Sequence, residues 1–116
     1  EIVLLSVPVT PNLEMLSYNP GLASKIIEET EKETEAYLEA EVAKLSQDGT
    51  KVTSVMREGP IPEIILAVAD EMQIDVITMS THGRSGIQRW LMGSVADRVV
   101  NHAHIPVMLI HPISKN

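Results

Sequence analysis

The chain has 116 residues, near the roughly 150 of a typical domain, and 44% of them are hydrophobic and 22% charged, an ordinary balance for a globular protein. It contains no Cys, which excludes disulfides, thiolate catalysis and Cys-ligated zinc, and no Phe, so its core must be aliphatic. The net charge of −7 argues against a nucleic-acid surface, and no apolar run approaches the roughly 20 residues of a membrane span.

Glu1-Ile2-Val3-Leu4-Leu5 has no basic region ahead of its apolar run, so it does not read as a signal peptide. A soluble cytoplasmic protein, with residues 1–116 as one domain, is the expectation. Ile2 to Val7 is a short apolar run of strand length, stopped by Pro8; an unbroken apolar run suggests a strand covered on both faces. Residues 8–22 carry Pro8, Pro11, Pro20 and the turn sequence Asn19-Pro20-Gly21, and read as a loop. From Ser24 to Ser46 the pattern is helical, with Ile27, Thr30, Thr34, Leu38, Val42 and Leu45 on one stripe and Asp48-Gly49 ending it. Residues 28–41 of that helix hold seven Glu and one Lys, a net of −6, whereas the other 102 residues sum to −1. Such a run reads first as a solvated helix face, and second as a docking surface for a basic partner.

Val52 to Met56 is the second strand. Gly59-Pro60-Ile61-Pro62 leads into a helix whose Ile61, Ile64, Ile65, Val68 and Met72 recur at i, i+3, i+4, i+7 and i+11. Ile74 to Met79 is the third strand and 80–92 a Gly-containing loop or partly helical segment. Gly93-Ser94 opens another helix, with Ser94 as N-cap and Val95, Val99 and Val100 on its inner face. Val107-Met108-Leu109-Ile110 is the last strand, its four apolar residues read as core. The order β, α, β, α, β, α, β predicts an α/β fold with an open parallel sheet and helices on both faces.

In such sheets ligands bind beyond the carboxyl ends of the strands. The segment Met79-Ser80-Thr81-His82-Gly83-Arg84-Ser85-Gly86, continuing to Met92-Gly93-Ser94, has the parts of an anion site. Gly83 and Gly86 allow close backbone approach, Gly93-Ser94 sits at a helix N-terminus, and Arg84 and Arg89 bring positive charge into an acidic chain. The plainer reading is a βα loop whose serine caps the next helix.

This segment resembles the signature of the universal stress protein family, Gly-x2-Gly-x9-Gly-(Ser/Thr). Gly83 stands for the second glycine, residues 84–92 for the spacer, and Gly93-Ser94 for the close; the first glycine is replaced by Ser80. Asp75 to Met79, Gly93 to Val99, His104 to Ile110 and Arg57-Glu58-Gly59 resemble the family's surrounding elements. The resemblance implies a flavodoxin-like (Rossmann-like) fold, ATP as ligand, with Mg²⁺ where the phosphates need it, and a homodimer through the last strand, Val107, Met108, Leu109 and Ile110. Carried over, Ser80, Gly83, Gly93, Ser94 and Val95 would meet phosphates or ribose, Arg84 would flank the phosphates, and Met79 and Val7 would border the base. Retention of Gly83, Gly93 and Ser94 points to the ATP-binding subgroup. The family normally begins with a further central strand and helix, and this chain starts after them. The expectation is therefore an N-terminally truncated domain, or a gap filled by another segment or chain.

Other chemistries find less support. His102 and His104 lack a carboxylate pair for a metal, His82 reads as a loop residue, and Trp90 and Met92 as packing. No nucleophile elbow, Walker A or Gly-x-Gly-x-x-Gly is present. The sequence thus reads as an ATP-binding regulatory module of the stress response and not an enzyme, with at most slow ATP hydrolysis. The alternatives are a same-fold interaction module without nucleotide, using the acidic helix and the last strand, and an adenylyl-transfer domain, for which no acid, base or metal pair is visible.

Overall fold

The computed structural model describes residues 1–9, 13–81 and 92–111. The chain divides into two compact units, Glu1–Gly59 and Pro60–Asn116.

In the first unit, β1 (Ile2–Ser6) and β2 (Val52–Met56) pair in parallel, with Ile2 opposite Val52 and Ser6 opposite Met56. A parallel pair requires a crossover, and α2 (Pro20–Leu45) supplies it, packing on both strands. Ala23 and Leu38 are its buried residues. Ile27, Thr30, Thr34 and Val42 of the predicted stripe are half-buried, while Leu45 at the end is exposed. α2 begins four residues before the predicted Ser24, because Asn19-Pro20-Gly21 is a helix start and not a turn. The Asn19 side chain accepts the Leu22 N–H at 3.1 Å, and Pro20 occupies the first helical position, where its missing N–H costs nothing. A short helix, α1 (Leu13–Tyr18), also occupies part of the predicted loop. After α2 the chain turns at Gly49, whose φ of +89° is a left-handed conformation that favours glycine. The Asp48 carboxylate accepts from the Thr50 N–H at 3.0 Å and the Thr50 hydroxyl at 2.6 Å.

In the second unit, α3 (Ile61–Glu71) precedes β3 (Ile77–Ser80), and α4 (Ser94–His102) precedes β4 (Val107–Ile110). β3 and β4 pair in parallel, Ile77 opposite Val107 and Ser80 opposite Ile110. α3 packs against α4, around Val68, Ala96, Val99 and Ile77. Arg98 of α4 also reaches Glu63 of α3, nitrogen to oxygen, at 2.8 Å. β3 starts three residues later than Ile74, because residues 73 and 74 still close α3. Gln73 takes a left-handed conformation (φ 51°) and donates to the Asp70 carbonyl, and Ile74 donates to the Ala69 carbonyl, the two bonds of a Schellman ending.

Two expectations for side-chain placement are corrected. The buried face of α4 is Ala96 and Val99, with Val95 half-buried, and Val100 is exposed; three-residue spacing carries the inner stripe past position 100. β4 is not core throughout: Val107 and Leu109 are half-buried, while Met108 and Ile110 are 57% and 54% exposed, the alternation of a sheet covered on one face. No described helix is long and apolar enough to cross a membrane.

The acidic helix carries a pH signature. The pKa of Glu31 in α2 is raised above the ordinary value, first by carboxyl hydrogen bonding with Glu58 beyond β2, then by desolvation and by the nearby charges of Glu58, Glu35 and Glu28. A raised folded pKa means stability that is full below the unfolded pKa and lost as pH rises through the folded one. Asp48 runs the other way: the Thr50 hydrogen bonds lower its pKa, so its contribution is present at neutral pH and lost on acidification. Glu31→Gln is therefore expected to raise the melting temperature at about pH 7 and to have a smaller effect at about pH 4, where the wild-type carboxyl is largely protonated. Thermal scans at the two pH values check this.

Candidate functional site

Five of the candidate residues gather at the carboxyl end of β3. A chain that leaves a strand and must re-enter a parallel neighbour at its amino end has to run back along the sheet, so α4 necessarily begins near the end of β3. The two ends meet directly: the Gly93 N–H donates to the Thr81 carbonyl at 2.7 Å. Met79 is half-buried, Ser80 is exposed, and Ser94 and Val95 follow at once in α4. Met79, Ser80, Gly93, Ser94 and Val95 are thus grouped around one closed base. Gly83 and Arg84, with His82, Gly86, Arg89 and Trp90, lie outside the described residues. Val7 follows β1 in the first unit and is half-buried.

The cap of α4 is Gly93, not Ser94. The Asp97 N–H donates to the Gly93 carbonyl at 2.9 Å, which makes Ser94 the first helical residue, and no side chain caps the end. An α-helix leaves its first four N–H groups without intrahelical partners. Gly93 spends its own on Thr81. Among the described residues those of Ser94, Val95 and Ala96 have no acceptor, leaving a row of donors at the positive end of the helix dipole. Asp97 does not fill that row: its carboxylate and carbonyl receive the Asn101 amide at 3.3 and 2.9 Å, one turn further along. The Gly93 backbone (φ −62°, ψ 156°) is an ordinary extended conformation, so its dihedral angles do not themselves demand glycine.

Two residues of this base escaped the sequence reading. The Thr81 N–H donates to the Ile110 carbonyl at 3.0 Å, and its hydroxyl lies 3.2 Å from Nδ1 of His111. Both residues follow directly after paired strand ends, so only the register of β3 on β4 brings them together. No sequence signal marks that register.

Two open cavities also lie in this unit. One, of about 650 Å³, runs between the starts of α3 and α4 past Ile61, Ser94, Arg98 and Asn101. The other, of about 770 Å³, lies at the far end of α3 and includes Asp70, Gln73, His102 and His104. Among the described residues no three His, Asp or Glu side chains are placed to hold a metal ion.

Comparison with known proteins points in one direction. The model of the universal stress protein family matches residues 1–111. Universal stress protein MJ0531 of Methanocaldococcus jannaschii is 36% identical over 87 residues, 74% of this chain and 51% of its own. A universal stress protein of Methanothermobacter thermautotrophicus is 40% identical over 60 residues, 52% of this chain and 40% of its own. The solved structure of the hypothetical protein MJ0577 superposes with a TM-score of 0.82 at 23% identity, covering 99% of this chain and 78% of that one. That likeness shows the fold, the flavodoxin-like α/β class expected from the sequence. The chain spans about half the length of the curated relatives it matches.

Proposed function

The chain belongs to the universal stress protein family, and on that footing we propose that it binds ATP at the start of α4 and works as a dimeric, non-enzymatic regulatory module of the stress response. The supporting observation is the uncapped row of N–H groups on Ser94, Val95 and Ala96 beside the end of β3. Free N–H groups and the helix dipole together favour a phosphate there.

In this reading the Ser94 and Val95 N–H groups and the Ser94 and Ser80 hydroxyls meet phosphate or ribose oxygens. Gly93 contributes space, since its N–H is held by Thr81. Gly83 and Arg84 serve the phosphates, Met79 borders the base, and Mg²⁺ accompanies the phosphates. The family match runs across both units, which favours treating residues 1–116 as one nucleotide-binding domain. Nucleotide then acts by differential binding, stabilising the state that a partner recognises. With no acid–base pair assigned to the site, hydrolysis is slow.

The dimer in this reading forms through β4, whose Met108 and Ile110 present an exposed apolar face. A second reading, an interaction module without nucleotide, is favoured by the acidic face of α2, where Glu28, Glu29, Glu33, Glu35 and Glu39 are exposed.

Calorimetric titration with Mg²⁺ and ATP separates the two readings. The wild-type chain is expected to bind in the micromolar range. Gly93→Asp supplies the missing cap, so its melting temperature should hold or rise by about 1–2 °C. Its carboxylate occupies the phosphate position, so affinity should fall at least about tenfold. Absence of binding by the folded wild-type chain would leave the interaction module. In sedimentation velocity the wild-type chain should run as a dimer, and Met108→Lys combined with Ile110→Lys as a folded monomer.

A further inference from the structure

Thr81 uses every polar group it has, and each ties down a different piece of chain. Its N–H holds the Ile110 carbonyl at the end of β4, its carbonyl holds the Gly93 N–H at the cap of α4, and its hydroxyl meets His111 Nδ1 at 3.2 Å. The first two bonds are backbone, available to any residue but proline. The third depends on side chains, and it joins two positions thirty residues apart that follow directly after β3 and β4.

We propose that Thr81 and His111 form a side-chain clasp that positions the base of the nucleotide site, with both residues acting through Thr81 on Gly93 and not by touching the ligand. The inference rests on the ATP-binding reading for its functional consequence, and on the geometry alone for its structural one. If the hydroxyl–imidazole contact is lost, Thr81 keeps its ladder bond to β4 but loses a side-chain contact that helps fix the direction of its carbonyl. The bond from the Gly93 N–H to the Thr81 carbonyl is the one that then loosens. Gly93 is the residue from which the Ser94, Val95 and Ala96 donors are projected, so a loosened cap spreads their directions and raises the entropy lost when a phosphate gathers them.

The clasp does not depend on protonation. The Thr81 hydroxyl can donate to an unprotonated Nδ1 or accept from a protonated one, so the contact survives either state of the ring. Because the contact is exposed, its effect is a few-fold one, the scale of a single exposed hydrogen bond.

Two measurements on the intact chain test it. The first needs no ligand: amide hydrogen exchange at Gly93 should be about three- to tenfold faster in Thr81→Val and in His111→Ala than in the wild type. Thr81→Ser, which keeps the hydroxyl, should restore it, and the Thr81→Val, His111→Ala double variant should be no faster than either single one. The second is the affinity for Mg²⁺ and ATP, expected to weaken about three- to tenfold in the same variants and to return in Thr81→Ser. Unchanged Gly93 exchange in both single variants overturns the clasp, whether or not ATP binds. Additive effects of the two substitutions overturn it as well. Altered exchange in a chain that binds no ATP would uphold the clasp and reject the nucleotide reading instead. Should Thr81→Val prove unstable, His111→Asn, whose amide can replace Nδ1, serves as the second conservative rescue beside His111→Ala.

Discussion

The parallel pairing of β3 with β4 is the constraint from which the candidate site follows. Antiparallel strands can be joined by two residues, but parallel ones cannot, so the chain must cross over and return through α4. The helix therefore starts at the carboxyl end of β3, and its leading N–H groups, without acceptors among the described residues, are delivered to the end of the strands where ligands of α/β proteins bind. The bond from Gly93 to Thr81, 2.7 Å long, then settles which donors are spent and which remain. Had Gly93 been serine or aspartate, its side chain would have consumed another donor and the row would be shorter.

Charge is divided as sharply as structure. The first unit carries eleven carboxylates against five Lys and Arg, and the second five against four, with Arg84 and Arg89 inside the signature segment. A net charge of −7 would on its own discourage an anionic ligand, but most of it sits on α2. Exposed charges separated by more than a Debye length, about 8–10 Å in ordinary buffers, are largely screened. Within the second unit the α4 dipole and nearby side chains act on the helix start, and the Asp97 carboxylate is drawn along the helix by Asn101.

Much of this was legible in the sequence, because it rests on local signals. The apolar runs at 52–56 and 107–110 became strands over those same residues, and the period of Ile61, Ile64, Ile65 and Val68 became α3. The spacing from Gly83 to Gly93-Ser94 marked the segment that leads into α4. Where the reading failed, a local signal was ambiguous or a long-range one was absent. Asn19-Pro20-Gly21 suits a turn as well as a helix start, and only the capping bond to Leu22 decides between them. The ends of α3 and β3 depended on Gln73 adopting a left-handed backbone that its side chain does not announce. The exposure of Met108 and Ile110 depends on which sheet face the helices cover, and the meeting of Thr81 with His111 on strand register; neither is written in any window of residues.

The central claim is that the leading N–H groups of α4 receive the phosphates of a nucleotide. It is tested most directly by following the backbone amide resonances of the ¹⁵N-labelled chain as ATP and Mg²⁺ are added. The account predicts that Ser94, Val95 and Ala96 shift most within α4, downfield as hydrogen bonds to phosphate form, with Asn101 and His102 at the other end nearly still. Saturable shifts elsewhere with Ser94 to Ala96 unmoved, or no shifts at all in the folded chain, would contradict it.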